Sequence, residues 1–160
     1  MSEITIHPAR EEDFPAVERL LRQIAQLHAE WRPDVFRPAQ KYDREHYLQL
    51  LADPDKPILV AEDPAGEVVG YAMCQVIQWQ GHPVMRDRRW LYVDDICVDE
   101  ACREQGIGGR LMEGVRELAQ SRGLPKIELN VWECNEAALR FYRRQGFTTQ
   151  RRGLELFPRD

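Results

Sequence analysis

The chain has 160 residues, of which 43% are apolar and 31% are charged, a size and composition that fit one globular domain with one hydrophobic core. Its net charge of -5 argues against a nucleic-acid partner, because proteins that bind nucleic acids usually present a basic surface, and it suits a cationic small molecule better. No segment approaches the roughly 20 apolar residues of a membrane-spanning helix, and residues 1–10 lack the features of a signal peptide. We therefore expect a cytoplasmic protein with neither a nucleic-acid nor a membrane partner. The four cysteines lack the spacing of metal ligands, so no metal site is predicted.

The first half of the sequence predicts three strands and two helices. Apolar residues recur at helical spacing from Phe14 to Leu27, which indicates an amphipathic helix. Turn-forming residues at 63–66 separate two apolar runs, which favours a β-hairpin. In chain order the predicted elements are a strand over 3–7, helices over 13–28 and 43–51 with a proline-bearing segment over 31–40 between them, and strands over 58–62 and 68–77.

The second half predicts strands that alternate with helices. Gly146 follows the last helical pattern and is expected to be its C′ residue. Hairpins followed by alternating strands and helices predict an α/β (α+β) fold, with a mixed sheet of about seven strands flanked by about four helices in a single domain over 1–160. The predicted elements are a strand over 90–98, a helix over 106–122, a strand over 126–132, a helix over 136–145 and a last pair of strands within 147–157.

A glycine-rich turn joins an apolar strand to the helix predicted from residue 106. Gly106, Gly108 and Gly109 lie where that helix begins, and a helix start offers unpaired N–H groups and a partial positive charge to an anion. Glycines let the backbone approach the anion closely, so the turn predicts a phosphate or pyrophosphate site. It is neither the dinucleotide fingerprint, which requires glycine at the position of Leu111, nor a P-loop, which ends in Gly-Lys-Ser/Thr.

Two motifs identify a family resemblance. The run from Arg103 to Gly108 follows the pattern R-x-x-G-x-G, and the later segment follows N-x-x-A-x-x-F-Y-x-x-x-G-F with Asn135, Ala138, Phe141, Tyr142, Gly146 and Phe147. Together they resemble the acetyl-CoA loop and last helix of the GNAT family of N-acetyltransferases. The resemblance implies the GNAT fold and direct transfer of an acetyl group from acetyl-CoA to a primary amine in a ternary complex.

The resemblance also implies roles for individual residues. Tyr142 would donate a proton to the departing thiolate, and Asn135 and Ala138 would lie against the cofactor near its thioester arm. Glu104 departs from the family, which commonly has glycine after the arginine. The remaining residues would bind acetyl-CoA, through backbone groups of Ile96, Cys97 and Val98 along the pantetheine and through a pyrophosphate loop of Arg103, Glu104, Gln105, Gly106, Ile107, Gly108 and Gly109.

Two adjacent aspartates in an apolar strand are the candidates for accepting the amine's proton. An alkylammonium has a pKa near 10.4, so only about one molecule in a few thousand is the free nucleophile at pH 7. By strict alternation Asp94 shares a strand face with Ile96 and Val98, and Asp95 shares one with Cys97, although a β-bulge would exchange the faces. The surrounding sequence is similar to spermidine/spermine acetyltransferases, and in that comparison Asp94 takes the place of the acidic base. A purely structural role for both aspartates stays open.

The acceptor is expected to contact the segments over 31–47 and 78–90, which mix aromatic and charged residues. Trp31, Trp79 and Trp90 could cage a cation or could simply pack together. A polyamine or a lysine-like small amine is the preferred acceptor. Alternative functions are a protein or peptide N-acetyltransferase and a non-catalytic acyl-CoA-binding regulatory module, and a homodimer is possible.

Overall fold

The computed structural model describes residues 3–159 and divides the chain into two compact units, with the boundary between Asn130 and Val131. The first unit contains the whole β-sheet and three helices, and the second contains the last helix and the C-terminal residues. No helix in the described range is both long and apolar enough to cross a membrane.

One mixed sheet of five strands, in the order β1-β2-β3-β4-β5, forms the centre of the first unit. The first four strands pair antiparallel with their neighbours, and β5 pairs parallel to β4 through a crossover that contains a helix. The strands are β1 (Thr5–Pro8), β2 (Ile58–Glu62), β3 (Val68–Trp79), β4 (Arg88–Val98) and β5 (Ile127–Leu129). The mixed α/β sheet predicted from the sequence is confirmed.

The described residues form four α-helices, the number that the sequence predicts. They are α1 (Phe14–Trp31), α2 (Arg44–Ala52), α3 (Ile107–Ser121) and, in the second unit, α4 (Glu136–Arg144), and short 3₁₀ turns cover Glu11–Asp13 and Glu100–Cys102.

The strand count is lower than predicted. The pair of strands expected within 147–157 is absent from the described residues, and the strand expected over 126–132 is reduced to β5. Leu154 and Leu156 alternate with Glu155 as in a strand, yet their side chains are 92% and 87% exposed. Alternating apolar and polar residues indicate a segment that would fit a sheet. A strand also needs a neighbouring strand to complete its hydrogen bonds, and the sequence pattern does not say which strand that would be.

The helices of the first unit cover opposite faces of the sheet. Val60 and Tyr71 are paired across β2 and β3 and belong to the core cluster with α1 and α2. The next residue on β3 toward its start, Gly70, points the other way, because side chains alternate along a strand. A methyl group added at Gly70 would lie 3.1 Å from the side chain of Leu111 on α3. Helix α3 therefore packs almost directly on the backbone of β3, which places its N-terminus close to the end of β4.

Candidate functional site

Strand β4 contains a bulge at the two aspartates. Asp95 pairs with Met73 of β3, whereas the next residue of β3, Cys74, pairs with Val93, so Asp94 is the extra residue. An extra residue interrupts the alternation of side chains and bends the strand locally. The side chains of both aspartates consequently contact residues on the α1–α2 side of the sheet, Lys41 and Tyr71. Asp95 shares a face with Cys97 as predicted, but the prediction that Asp94 shares a face with Ile96 and Val98 is wrong.

Asp95 is half-buried and accepts a hydrogen bond of 2.7 Å from the hydroxyl of Tyr71. Burial raises the pKa of Asp95 above its usual value, more than the hydrogen bond from Tyr71 and the charge of Lys41 lower it. Burial and the neighbouring carboxylate hold the pKa of Tyr71 well above 10, so its hydroxyl keeps its proton and acts as the donor. Asp95 is thus a carboxylate with increased proton affinity and a fixed orientation.

Asp94 is more exposed and forms an ion pair with Lys41, which lies in the connection between α1 and α2. The Nζ atom of Lys41 is 2.8 Å from Oδ2 of Asp94. Burial alone would lower the pKa of Lys41, but the hydrogen bond to Asp94 and the charges of both aspartates raise it above its usual value. Lys41 is therefore a stable ammonium group at neutral pH.

Aromatic side chains from the end of α1 and from the connection that follows it lie near this charged cluster. The ring of His28 lies 4.9 Å from that of Phe36 and 5.7 Å from that of Trp31. Burial lowers the pKa of His28, so the imidazole is neutral at pH 7. Burial raises the pKa of Tyr42, whose ring lies 5.3 Å from Nζ of Lys41. The segment over 31–47 thus brings a charged side chain, Lys41, and an aromatic one, Tyr42, close to the aspartates.

The segment over 78–90 is arranged differently. The guanidinium of Arg88 lies 5.1 Å from the ring of Trp79 and 4.0 Å from the ring of Trp90, and it also pairs with Glu128 at 3.1 Å. These two tryptophans bind a cation that belongs to the chain itself, and Trp31 packs against His28 instead. The packing interpretation of the three tryptophans is therefore favoured over a shared cage.

The glycine-rich turn has the geometry of an anion site. Gly106 is the N-cap residue of α3 with a left-handed φ of 77°, and the N–H of Arg110 donates to its carbonyl at 3.1 Å. The first N–H groups of a helix have no carbonyl one turn earlier to bind, so they are available to a ligand. Four residues of the preceding loop have exposed side chains or backbone: Arg103, Glu104, Gln105 and Gly106. Their binding of a cofactor stays a prediction.

The backbone conformation at Glu104 is one that favours glycine, the residue that the family commonly has at this position. Its φ of 67° lies in the left-handed region, which side chains with a Cβ atom rarely adopt. The loop keeps this conformation in spite of the glutamate, and the side chain is exposed to solvent. The departure from the family pattern consequently costs backbone strain as well as placing a negative charge beside the expected phosphates.

Asp99 holds the start of this loop, a role that the sequence did not suggest. Its buried carboxylate pairs with Arg19 of α1, accepts a hydrogen bond of 3.3 Å from Gln23 and caps the following turn at the N–H of Ala101. Burial alone would raise the pKa of Asp99, but these hydrogen bonds lower it below its usual value. An aspartate before a short helical turn is a recognisable cap. Arg19 and Gln23 lie about eighty residues away in sequence, however, and only the fold brings them to Asp99.

The end of β4 exposes backbone groups on one side. The parallel ladder with β5 ends at the pair of Val93 with Leu129, whereas β4 continues to Val98 with β3 as its neighbour. Among the strands that the structure describes, none pairs with the other edge of residues 96–98. This edge is where the predicted backbone contacts of Ile96, Cys97 and Val98 with acetyl-CoA would form. Burial raises the pKa of the Cys97 thiol to about 12, so a thiolate role for Cys97 is disfavoured.

In the second unit, capping interactions define both ends of α4. Oδ1 of Asn135 accepts a hydrogen bond of 3.2 Å from the N–H of Ala138, which makes Asn135 the N-cap. At the other end Gly146 has a φ of 98°, and the N–H of Phe147 donates to the carbonyl of Tyr142, which is a Schellman motif with glycine at C′ as predicted.

Tyr142 is held within this motif. Its half-buried ring lies 5.5 Å from that of Phe147 and 5.3 Å from that of Phe141. The apolar contact between residues 142 and 147 is the one that usually accompanies a Schellman motif, so the helix end itself fixes the phenol. Asn135, Ala138 and Tyr142 follow i, i+3, i+7 spacing along one stripe of α4.

Comparisons with known proteins agree on one family. The family model for the Acetyltransferase (GNAT) family matches residues 21–147. A thialysine N-epsilon-acetyltransferase from Bos taurus is 28% identical, over 91% of this chain and 85% of that protein. An L-methionine sulfoximine/L-methionine sulfone acetyltransferase from Pseudomonas aeruginosa is 32% identical, over 69% of this chain and 61% of that protein. Among solved structures, the tetramutant of the BH1408 protein from Bacillus halodurans has a TM-score of 0.92 and 29% identity, over 96% of this chain and 99% of that one.

Proposed function

Because the chain belongs to the GNAT family of acetyltransferases, we propose that it transfers an acetyl group from acetyl-CoA directly to the primary amine of a small molecule in a ternary complex. The observation that carries this proposal is the bulge of β4, where two adjacent carboxylates precede the glycine-rich start of α3 in one continuous segment. An acidic group for an ammonium ion and an anion site for a pyrophosphate are the two binding functions that this reaction requires.

The residues of the loop before α3 suit acetyl-CoA as the acetyl donor. The proposed pyrophosphate loop runs from Arg103 to Gly109, and residues 96–98 would hold the pantetheine by backbone hydrogen bonds. A methyl group added at Gly106 would meet nothing within 4 Å, so the space beside this backbone is open. When bound, acetyl-CoA supplies the activated acetyl group as a thioester.

We assign the proton acceptor to Asp95 rather than to Asp94. Lys41 neutralises much of the charge of Asp94, whereas Asp95 combines a raised pKa with the orienting hydrogen bond from Tyr71. A carboxylate with a higher pKa takes a proton from an ammonium ion more readily, directly or through water. Asp94 would then attract and orient the incoming cation. The resemblance to spermidine/spermine acetyltransferases favoured Asp94 as the base. The two assignments therefore predict different losses of activity when Asp94 or Asp95 is replaced by asparagine.

Tyr142 is the proposed donor of the proton that the departing thiolate takes up. A phenol keeps its proton at pH 7 and is a suitable acid for a thiolate whose conjugate acid has a pKa near 8.5. The Schellman motif that fixes its ring supports this role, because a proton donor must be oriented before the reaction.

The names of the two relatives describe acetyltransferases for thialysine and for methionine sulfoximine or sulfone, which are small molecules of the amino-acid type. They support a small amine as the acceptor here.

We also propose a cytoplasmic homodimer, since most soluble oligomers are symmetric homo-oligomers, and light scattering of the purified protein tests the dimer.

An assay of thiol release from acetyl-CoA, with a panel of amines and peptides as acceptors, tests the reaction. We expect turnover with small amines, a loss of at least 100-fold in kcat for Asp95→Asn and a smaller loss, mainly in KM, for Asp94→Asn. Turnover with peptides alone would make the chain a peptide acetyltransferase, and binding without turnover would make it an acyl-CoA-binding regulatory module. Calorimetry that detects no heat from millimolar coenzyme A or acetyl-CoA with folded protein would refute the proposal.

A further inference from the structure

The chain places an ammonium group of its own on the carboxylate that is proposed to receive the acceptor. Nζ of Lys41 lies 2.8 Å from Asp94, although the two residues are 53 positions apart. Their side chains are 46% and 34% exposed, so the pair is accessible from solvent. Partly exposed ion pairs contribute little to stability, and an incoming cation can therefore replace Lys41 at low cost.

The net negative charge of this cluster is smaller than that of its two adjacent aspartates alone. His28 from α1 is neutral at pH 7, and Tyr42 and Tyr71 keep their protons because burial raises the pKa of each phenol. The ionised groups of the cluster are then the two aspartates and one lysine. With Asp95 ionised the cluster carries one net negative charge, and with Asp95 protonated it carries none.

We propose that Lys41 is a specificity-determining residue that selects acceptors with a single ammonium group or a zwitterionic structure and disfavours polyamines. This inference rests on the proposed function and narrows its acceptor class. The amine to be acetylated replaces Lys41 on Asp94, and the displaced ammonium stays nearby because its stem is anchored in the connection between α1 and α2. There it repels a second cationic group of the acceptor and attracts a carboxylate. Repulsion of a competing ligand is a common source of specificity.

The test compares two acceptors of opposite type, spermidine and thialysine, with three variants. Lys41→Met removes the charge and keeps most of the side-chain volume, Lys41→Arg keeps the charge, and Lys56→Met is a matched control in the turn before β2. We expect the wild-type protein to prefer thialysine. In Lys41→Met the ratio of kcat/KM for spermidine to that for thialysine should rise about tenfold, mainly through KM, because one like charge has been removed. Lys41→Arg and Lys56→Met should keep the wild-type ratio.

Two results would overturn the inference while leaving the proposed function intact. One is a ratio in Lys41→Met within twofold of wild type, and the other is an equal gain for both acceptors, which would make Lys41 a simple obstruction. A wild-type protein that acetylates no amine would instead refute the proposed function and this inference with it. Thermal unfolding of each variant verifies that the comparison is made between folded proteins, since loss of this exposed pair should barely change Tm.

Discussion

Replacing Glu104 with glycine should stabilise the protein and strengthen its binding of coenzyme A. The φ of 67° at this residue costs a side chain with a Cβ atom about 1–2 kcal/mol, and glycine avoids that cost. Glycine also has more conformational freedom in the unfolded chain, which takes back about 0.4–1 kcal/mol. With the middle of each range, the free energy of unfolding should therefore rise by about 0.8 kcal/mol.

The same substitution removes a negative charge from the proposed pyrophosphate loop. A unit charge about 8 Å from a doubly charged anion in a water-like dielectric contributes about 1 kcal/mol of repulsion, which corresponds to about a fivefold change in Kd. Glu104→Gln removes the charge and keeps the strained backbone, so it isolates this contribution. Glu104→Ala also keeps the strain, and its difference from Glu104→Gly isolates the backbone contribution.

Urea denaturation and isothermal calorimetry with coenzyme A measure the two effects separately. We expect Glu104→Gly to be the most stable of the four proteins, and all three variants to bind coenzyme A more tightly than wild type. A Glu104→Gly protein less stable than Glu104→Ala would refute the assignment of backbone strain. Unchanged affinity in Glu104→Gln at low salt would place the bound anion elsewhere.

Three further variants probe the rest of the site. Tyr142→Phe should lower kcat by about 10- to 1,000-fold with little change in the Kd of coenzyme A, and full activity would remove the phenol from the mechanism. Tyr71→Phe removes the hydrogen bond that lowers the pKa of Asp95, so this pKa should rise. The acidic limb of the kcat/KM profile, measured with the same acceptor, should then move to higher pH. A limb that moves to lower pH would contradict the role of Asp95. Gly70→Ala would bring a methyl group to 3.1 Å from both the Cys97 carbonyl and Leu111. We therefore expect its free energy of unfolding to fall by about 1–3 kcal/mol in urea denaturation, and its binding of coenzyme A to weaken. The control Gly153→Ala, with open space around it, should behave as wild type.

The helices were predictable because their signals are local. The helix predicted over 13–28 is α1, and the one predicted over 106–122 is α3, each within three residues at its ends. Contacts between residues three and four apart repeat within one segment, and the caps belong to the same segment. Gly146 illustrates this, because its left-handed φ and both hydrogen bonds of the Schellman motif involve only residues 142–147.

The strands and the site show where local patterns are insufficient. The alternation at residues 154–156 fits a strand but does not state which neighbour would pair with it. Alternation at Asp94 and Asp95 likewise predicted opposite faces, since a bulge depends on how β4 pairs with β3. An error of one residue in register transfers a side chain to the other face of a sheet.

The sequence by itself determined the family, the glycine-rich start of α3, the capped end of α4 and the two candidate carboxylates, because each is a short motif whose residues are neighbours along the chain. Only the tertiary structure decided which groups surround those carboxylates: Lys41 on Asp94, Tyr71 on Asp95 and Arg19 on Asp99. These partners come from other elements, and the charge and proton affinity of a carboxylate depend on what lies within a few ångströms of it. The chemistry of the site is therefore a property of the packing of α1 and its following connection against β3 and β4.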